Sequence, residues 1–276
     1  MNKADYYLFN DINHIRDNGF WDVDPRPKYA DGTPAHTLSV NHVVRQYDLS
    51  KGEFPICTYR PMAWKTSIRE LFTIYFRPTN KISEMEKEGV KWWGSWDIGD
   101  GTIGQRYGAT VKRYELLDKL IADIKSNPYG RRKVMSLWQE TDLAETPGLA
   151  PCAFCTIWNV RGEYLDMMMV QRSGDMLVAS GAGHANEIQY AALLIAVAKA
   201  TGYKPGVFTH VVANEQIYDR HMDNAAELLT RKASDKSPQL ILHKEDGCDI
   251  HSIQMEDFEL IDYEPNPDQL TFELGI

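Results

Sequence analysis

The run Ala150-Pro151-Cys152-Ala153-Phe154-Cys155 sets two thiols three residues apart. Zinc binding at such a pair needs a second ligand pair at matching spacing, and Cys57 and Cys248 do not form one. A redox dithiol opens a helix after a strand, whereas Cys152 reads as the start of a strand. That placement turns the two sulfurs to opposite faces. Two readings stay open. Either both are buried structural cysteines, or Cys152, following a Gly-Leu-Ala-Pro loop, is a nucleophile whose thiol nearby arginines make more acidic.

Further groups along the chain could serve such a thiol. Arg131-Arg132 follows Asn127-Pro128-Tyr129-Gly130, and Gln171-Arg172-Ser173 ends an apolar stretch. Guanidinium forks match phosphate oxygens two at a time, and a serine hydroxyl adds a donor. A shared anion site is one reading, and solvated surface arginines are the other. Glu70, four residues beyond Thr66 on a helical stretch, is either solvated or a general acid/base. Trp92, Trp93, Trp96 and Tyr107 surround a glycine-rich loop, where they close a core or stack on a planar ring.

These groups need elements to hold them. Residues 24–34 read as loop, Thr37 to Tyr47 as a strand, 62–76 as a helix ended by Pro78, and Asp97 to Gly104 as a glycine-rich loop. Leu117, Leu120, Ile121 and Ile124 fall at helical spacing, stopped by Asn127-Pro128. Lys133 to Trp138 reads as a strand. Cys152 to Val160 and Glu163 to Gln171 read as a hairpin turning at Arg161-Gly162, apolar enough to be buried on both faces. Ile188, Ala191, Ala192 and Ile195 share a helical face, with Gly202 as the C-terminal cap. Val207 to Ala213 reads as a strand and 215–231 as a helix. The pattern predicts an α/β (α+β) fold, one domain over residues 1–276 with a twisted mixed sheet and flanking helices.

The 276 residues carry a formal charge of −9, which argues against primary nucleic-acid binding. The longest strictly apolar run, Ala191 to Ala198, is far short of the roughly 20 residues that a spanning helix needs. The first residues, Met1 to Asp5, lack an apolar signal core, which reads as an intracellular, cytoplasmic protein. No metal is expected.

Taken in order, the segments resemble the thymidylate synthase family. The matching stretches are Asp31-Gly32-Thr33-Pro34-Ala35-His36-Thr37-Leu38-Ser39-Val40, as in one bacterial branch, Lys65 to Leu71, and Asp100-Gly101-Thr102-Ile103-Gly104 with Tyr107-Gly108. Asn127-Pro128 with Arg131-Arg132, Leu149-Ala150-Pro151-Cys152, Gln171-Arg172-Ser173-Gly174-Asp175, Thr201-Gly202-Tyr203 and Ile217-Tyr218-Asp219-Arg220-His221 complete the series. The resemblance implies reductive methylation of dUMP to dTMP, with 5,10-methylenetetrahydrofolate as one-carbon donor and reductant. It makes Cys152 the nucleophile at C6, Glu70 the organiser of proton transfer, and Tyr107 the residue assisting loss of the C5 proton. It assigns Gln171, Arg172, Ser173, Asn186, Gln216 and Tyr218 to the nucleotide, and Trp93, Leu149, Asp175 and the terminal carboxylate of Ile276 to the folate. It also implies a homodimer with sheets packed together, in which Arg131 and Arg132 reach the neighbouring phosphate.

Five departures accompany the likeness. Ala153 and Gln216 stand where the family has histidines, Gly32 where many members have an arginine, and Gly94 where it has an aspartate. The segment Ala179 to Asn186 is rewritten and about three residues longer, so Asn186 is the base reader by counting back from Tyr190, and His184 is the other residue that could enter the pocket. Two further functions stay in view: a pyrimidine C5 hydroxymethyltransferase with the same cysteine and folate, and a weak homologue that binds nucleotide or its own messenger RNA.

Overall fold

The computed structural model describes residues 1–276. Its centre is a seven-stranded sheet of β1 (Phe20–Trp21), β2 (Thr37–Asp48), β3 (Val134–Ser136), β4 (Ala153–Arg161), β5 (Tyr164–Gln171), β6 (Gly174–Asp175) and β7 (Lys204–Tyr218), in the order β1-β2-β7-β5-β4-β3 with β6 beside β7. Every pairing is antiparallel except β5 with β7 and β6 with β7. Eight helices surround it: α1 (Lys3–Asn18), α2 (Trp64–Leu71), α3 (Ile82–Lys87), α4 (Gly108–Tyr114), α5 (Leu116–Ser126), α6 (Glu140–Glu145), α7 (Ala185–Thr201) and α8 (Met222–Thr230). The fold is the expected α/β sheet with flanking helices. No helix is long and apolar enough to cross a membrane.

Local chemistry accounts for most of these elements. Asn2 caps α1 by accepting from the Asp5 amide at 2.8 Å. The helix then sets Leu8, Ile12 and Ile15 against Leu38, Val40 and Val43 of β2. Gly162, at φ +62°, turns the β4–β5 hairpin. Gly202, at φ +78°, ends α7. Thirteen of the seventeen residues of α7 are buried, so it is a core helix wrapped by sheet and helices rather than a one-sided surface helix.

Three expectations need correction. Residues 215–218 continue β7, because Thr37 to Asn41 of β2 pair with Tyr218 to Asn214; the helix starts only at Met222. The 62–76 helix is α only to Leu71, and a π turn carries Phe72–Phe76. The β4–β5 hairpin is not buried on both faces. Val44, Val211 and Val170 form one lateral row on its outer side, and Met168, Ile157 and Val134 form the next. Val44, Met168 and Val134 are exposed in this chain, so the apolar run records an apolar face left open.

Gly183 is a tight backbone junction just before α7. Its carbonyl accepts from the Cys57 amide at 2.9 Å. At φ +70°, a Cβ there would lie 2.3 Å from the Cys57 nitrogen and 2.6 Å from the Ile56 carbonyl carbon. Gly183→Ala should therefore lose about 3 kcal/mol or more in urea unfolding. Gly162→Ala, at a similar φ with open space around it, should lose only about 1 kcal/mol.

Candidate active site

Cys152 immediately precedes β4, at the sheet edge where β5 and β7 end. Ala153 pairs with Gln171, and the Arg172 amide donates to the Cys152 carbonyl at 2.9 Å. A bulge between Ala153 and Cys155 interrupts the simple alternation expected of the two thiols. The Arg172 side chain folds back on the same loop. Its Nη2 lies 3.4 Å from Cys152 Sγ and donates to the Ala150 carbonyl at 2.9 Å, while Nε donates to the Pro151 carbonyl at 3.0 Å. Burial pushes the Cys152 thiol up, and the positive charges of Arg172 and then Arg26 pull it back only in part. The expected acidification is thus outweighed, because the guanidinium is shared with two carbonyls and the sulfur is largely shielded from water.

Glu70, on α2, is buried. Its Oε1 accepts from Trp92 Nε1 at 2.7 Å and Trp93 Nε1 at 2.5 Å, both on the short turn Trp92–Trp96, and its Oε2 accepts from Gln189 Nε2 on α7. Burial raises the carboxyl, opposed by the hydrogen bonds from Trp92, Gln189 and Trp93. Such a group can hold or release a proton, the property that a general acid/base requires. Tyr107 precedes α4 at φ +49°, with its ring centroid 4.9 Å from that of Trp93. Burial raises its hydroxyl, with Cys152 as the next influence. A side chain other than glycine held at positive φ is the kind of local strain that accompanies a fixed functional position.

Asn186, in the first turn of α7, accepts at Oδ1 from Ser180 Oγ (2.9 Å) and Gln171 Nε2 (3.3 Å). Ser173 and Gln216 exchange a hydrogen bond at 3.3–3.4 Å. Tyr218, two residues beyond Gln216 on β7, is pushed up to about 12, chiefly by burial and then by Asp175. Asp175 caps the turn Met176–Ser180 by accepting from the Val178 amide at 3.3 Å. His184 is the residue just before α7, and its Nε2 has no hydrogen-bond partner. It is fully buried, its Nδ1 lies 3.1 Å from the Ala182 carbonyl, and burial lowers it to about 3.

The other expected residues lie at the margin or away. Leu149 is half-buried against the main core. Ile276 forms a two-bond bridge with Lys28, each bond 3.0 Å, so a terminal oxygen is engaged by backbone rather than free. Arg131 and Arg132 are exposed, and their side chains make no hydrogen bond or ion pair within the chain. Val134, two residues on from Arg132, pairs with Ile157, five positions along from Cys152 or roughly 17 Å. Sequence reasoning missed Gln189, Ser180, His210 and Arg26. Gln189 was readable as a lone amide within an apolar helix. Arg26 sits in a loop with no periodicity, and only its effect on Cys152 and Tyr218 marks it.

The site thus gathers a thiol, a guanidinium, a dry carboxylate and converging amides at one sheet edge, and residues 6–275 match the family model described as thymidylate synthase. The chain belongs to the thymidylate synthase family. It is 48% identical over 282 aligned positions to the thymidylate synthase of Lactococcus lactis subsp. cremoris (strain SK11), covering 100% of both chains. It is 45% identical to that of Streptococcus pneumoniae (strain 70585), again over 100% of both. Thermostable thymidylate synthase A from Bacillus subtilis superposes with a TM-score of 0.91 over 99% of each chain at 33% identity. These thymidylate synthases support methylation, and the hydroxymethyltransferase reading is not favoured.

Burial raises Asp175 to about 7, against an ordinary 3.8, with the Val178 and Leu177 amides opposing it. The folded state therefore holds this proton more tightly than the unfolded chain. The resulting stability is present below pH ~4 and is lost as pH rises through ~7. Asp175→Asn keeps the Oδ1 cap and removes the titration. Its thermal midpoint should match the unmodified protein near pH 4 and exceed it increasingly up to pH 7–8.

Proposed function

We propose that the chain carries out reductive methylation of dUMP to dTMP in the cytoplasm, with residues 1–276 acting as one catalytic domain. The observation that carries this reading is Cys152 Sγ lying 3.4 Å from Arg172, at the edge where Asn186 and Glu70 converge through Gln189. The Cys152 thiol gives up its proton to solvent water and, as the thiolate, forms a bond to C6 of uracil. The C5–C6 π pair shifts toward C5 and O4, so C5 becomes the nucleophile. Glu70, alternating between carboxyl and carboxylate, handles protons at O4, and Tyr107 assists loss of the C5 proton. The sulfur–C6 bond breaks at the end, returning the electron pair to the thiolate. The 5,10-methylenetetrahydrofolate co-substrate supplies both the carbon and the hydride.

Arg172 and Ser173 hold the phosphate, with Arg26 as an added positive charge in a chain that has Gly32 in place of the family arginine. Gln171 and Gln216 complete the nucleotide contacts, Tyr218 binds the ribose, and Asn186 reads the base. A pterin fits the residues present: Trp93 and Tyr107 offer ring faces, Leu149 an apolar wall, and Asp175 a carboxyl bonded only to backbone amides and so open to ring N–H donors. Ile276 closes the margin. The open apolar rows on the sheet, and the distance of Arg131 and Arg132 from Cys152 in their own chain, support a homodimer in which both arginines act on the neighbouring phosphate.

Incubation with dUMP and methylenetetrahydrofolate should yield a nucleotide heavier by one methyl group and one dihydrofolate per turnover, read by mass and absorbance. A hydroxymethylated product without dihydrofolate would refute this. Cys152→Ala should abolish turnover while dUMP binding persists. Neither Cys152→Ala nor the double variant Arg131→Ala/Arg132→Ala should turn over well alone. Mixed after subunit exchange, they should regain about a quarter of the sites, since each heterodimer rebuilds one. Absence of rescue would place the arginines in their own subunit's site or outside catalysis.

A further inference from the structure

An amide side chain has nearly the same shape in its two orientations but reversed hydrogen-bonding ends. At a base-reading position that reversal matters, because position 4 of uracil is a carbonyl that accepts and position 4 of cytosine an amino group that donates. Asn186 stands between two further amides. On one side Ser180 Oγ donates to its Oδ1 at 2.9 Å, with Gln171 Nε2 3.3 Å away. On the other, its Nδ2 donates to Gln189 Oε1 at 3.5 Å. Oδ1 is thereby held by the Ser180 hydroxyl, and one hydrogen on Nδ2 is left over.

Neither flanking amide is free to turn. Gln189 Nε2 is committed to the Glu70 carboxyl group. Gln171 Nε2 donates to the Ser173 carbonyl at 2.9 Å and to Ser180 Oγ at 2.7 Å, which leaves Gln171 Oε1 facing His210 Nε2 at 3.0 Å. A carbonyl oxygen only accepts, so His210 Nε2 must carry a hydrogen. The other ring nitrogen, Nδ1, lies 2.9 Å from Glu187 Oε1 and 3.3 Å from Arg45 Nη1. Arg45 is itself fully buried and held by Asp11 at 2.7 Å, by the Ser180 carbonyl at 3.2 Å, and by Glu187 and Glu215. The chain of fixed orientations thus runs from a buried ion cluster to the base reader.

We propose that His210 is a positioning residue for substrate choice. By donating from Nε2 to Gln171 Oε1, it aims the Gln171 N–H groups at the Ser173 carbonyl and Ser180 Oγ. The Ser180 hydroxyl then donates to Asn186 Oδ1 and an Asn186 N–H faces the base, which favours a carbonyl at position 4 and hence uracil over cytosine. The proposal rests on the reading of Asn186 given under the proposed function. It also accounts for the rewritten segment, since Ser180 and the neighbouring Glu187 supply two of the contacts that set the orientation.

The test compares kcat/KM for dUMP and dCMP, and equilibrium binding of each nucleotide alone, across three variants. His210→Phe keeps a ring stacked 6.3 Å from Phe208 but loses both nitrogens. His210→Gln keeps an N–H donor. Ser180→Ala removes one donor to Asn186 and serves if His210→Phe fails to unfold cooperatively. The dUMP preference should fall about tenfold or more in His210→Phe, mainly through KM, and return in His210→Gln. Ser180→Ala should shift it the same way by a smaller factor. An unchanged ratio in the folded variants, or an equal loss for both nucleotides, would overturn the positioning role. An unmodified protein that turns over neither nucleotide would instead overturn the functional reading, and the binding ratios would still decide the role of His210.

Discussion

The parallel run of β7 beside β5 is the constraint on which the site depends. Parallel neighbours end at the same edge, so Gln171-Arg172-Ser173 and Gln216-Ile217-Tyr218 emerge together. The antiparallel hairpin brings the start of β4, and with it Cys152, to that edge. The antiparallel pairing of β2 with β7 brings the loop before Thr37 there as well. The Cys152 thiol, the Arg172 guanidinium, Tyr218 and the first loop are neighbours because of strand direction alone. A crossover of this kind needs a helix to cover the sheet, and α7 fills that role while carrying Asn186 and Gln189 on its first turns.

Two buried acids, Glu70 bonded to Gln189 of that helix and Glu187 in its first turn, are stabilised differently. Glu70 meets only neutral donors, two indoles and an amide, which oppose but do not cancel the rise that burial gives its carboxyl. Glu187 meets Arg45, His210 and Tyr47, and the guanidinium keeps it ionised near 2 despite burial. Glu70 is left without a cation, and Glu187, which holds neighbouring groups in position, is given one.

Much of this was legible in the sequence where one residue type has one plausible job. The hairpin at Gly162, the cap at Gly202 and the strand from Thr37 follow from local pattern, and Cys152 and Glu70 stood out as chemistry without a family. Their convergence did not, because spacing along the chain carries no information about strand direction. Residues 215–218 looked helical by composition and are strand by pairing, a tertiary contact overriding propensity. Arg45 offered a clue that went unread: it occupies the inward position between Val43 and Tyr47 on an alternating strand, where a charge must find partners. His210 and Ser180 gave no such signal, since a histidine in a strand and a serine in a turn are commonplace.

The Arg45 cluster also says something about descent. Breaking one partner from a buried ion set costs about 3–5 kcal/mol, a large share of the 5–15 kcal/mol that holds a typical domain together. Arg45, Glu187 and Glu215 come from three distant parts of the chain, yet none is easily gained or lost while the others stay. The lengthened stretch before α7 is therefore tied to the first helix and to two strands. It can drift only in step with them, so a lineage that has acquired the set has few single-step routes back.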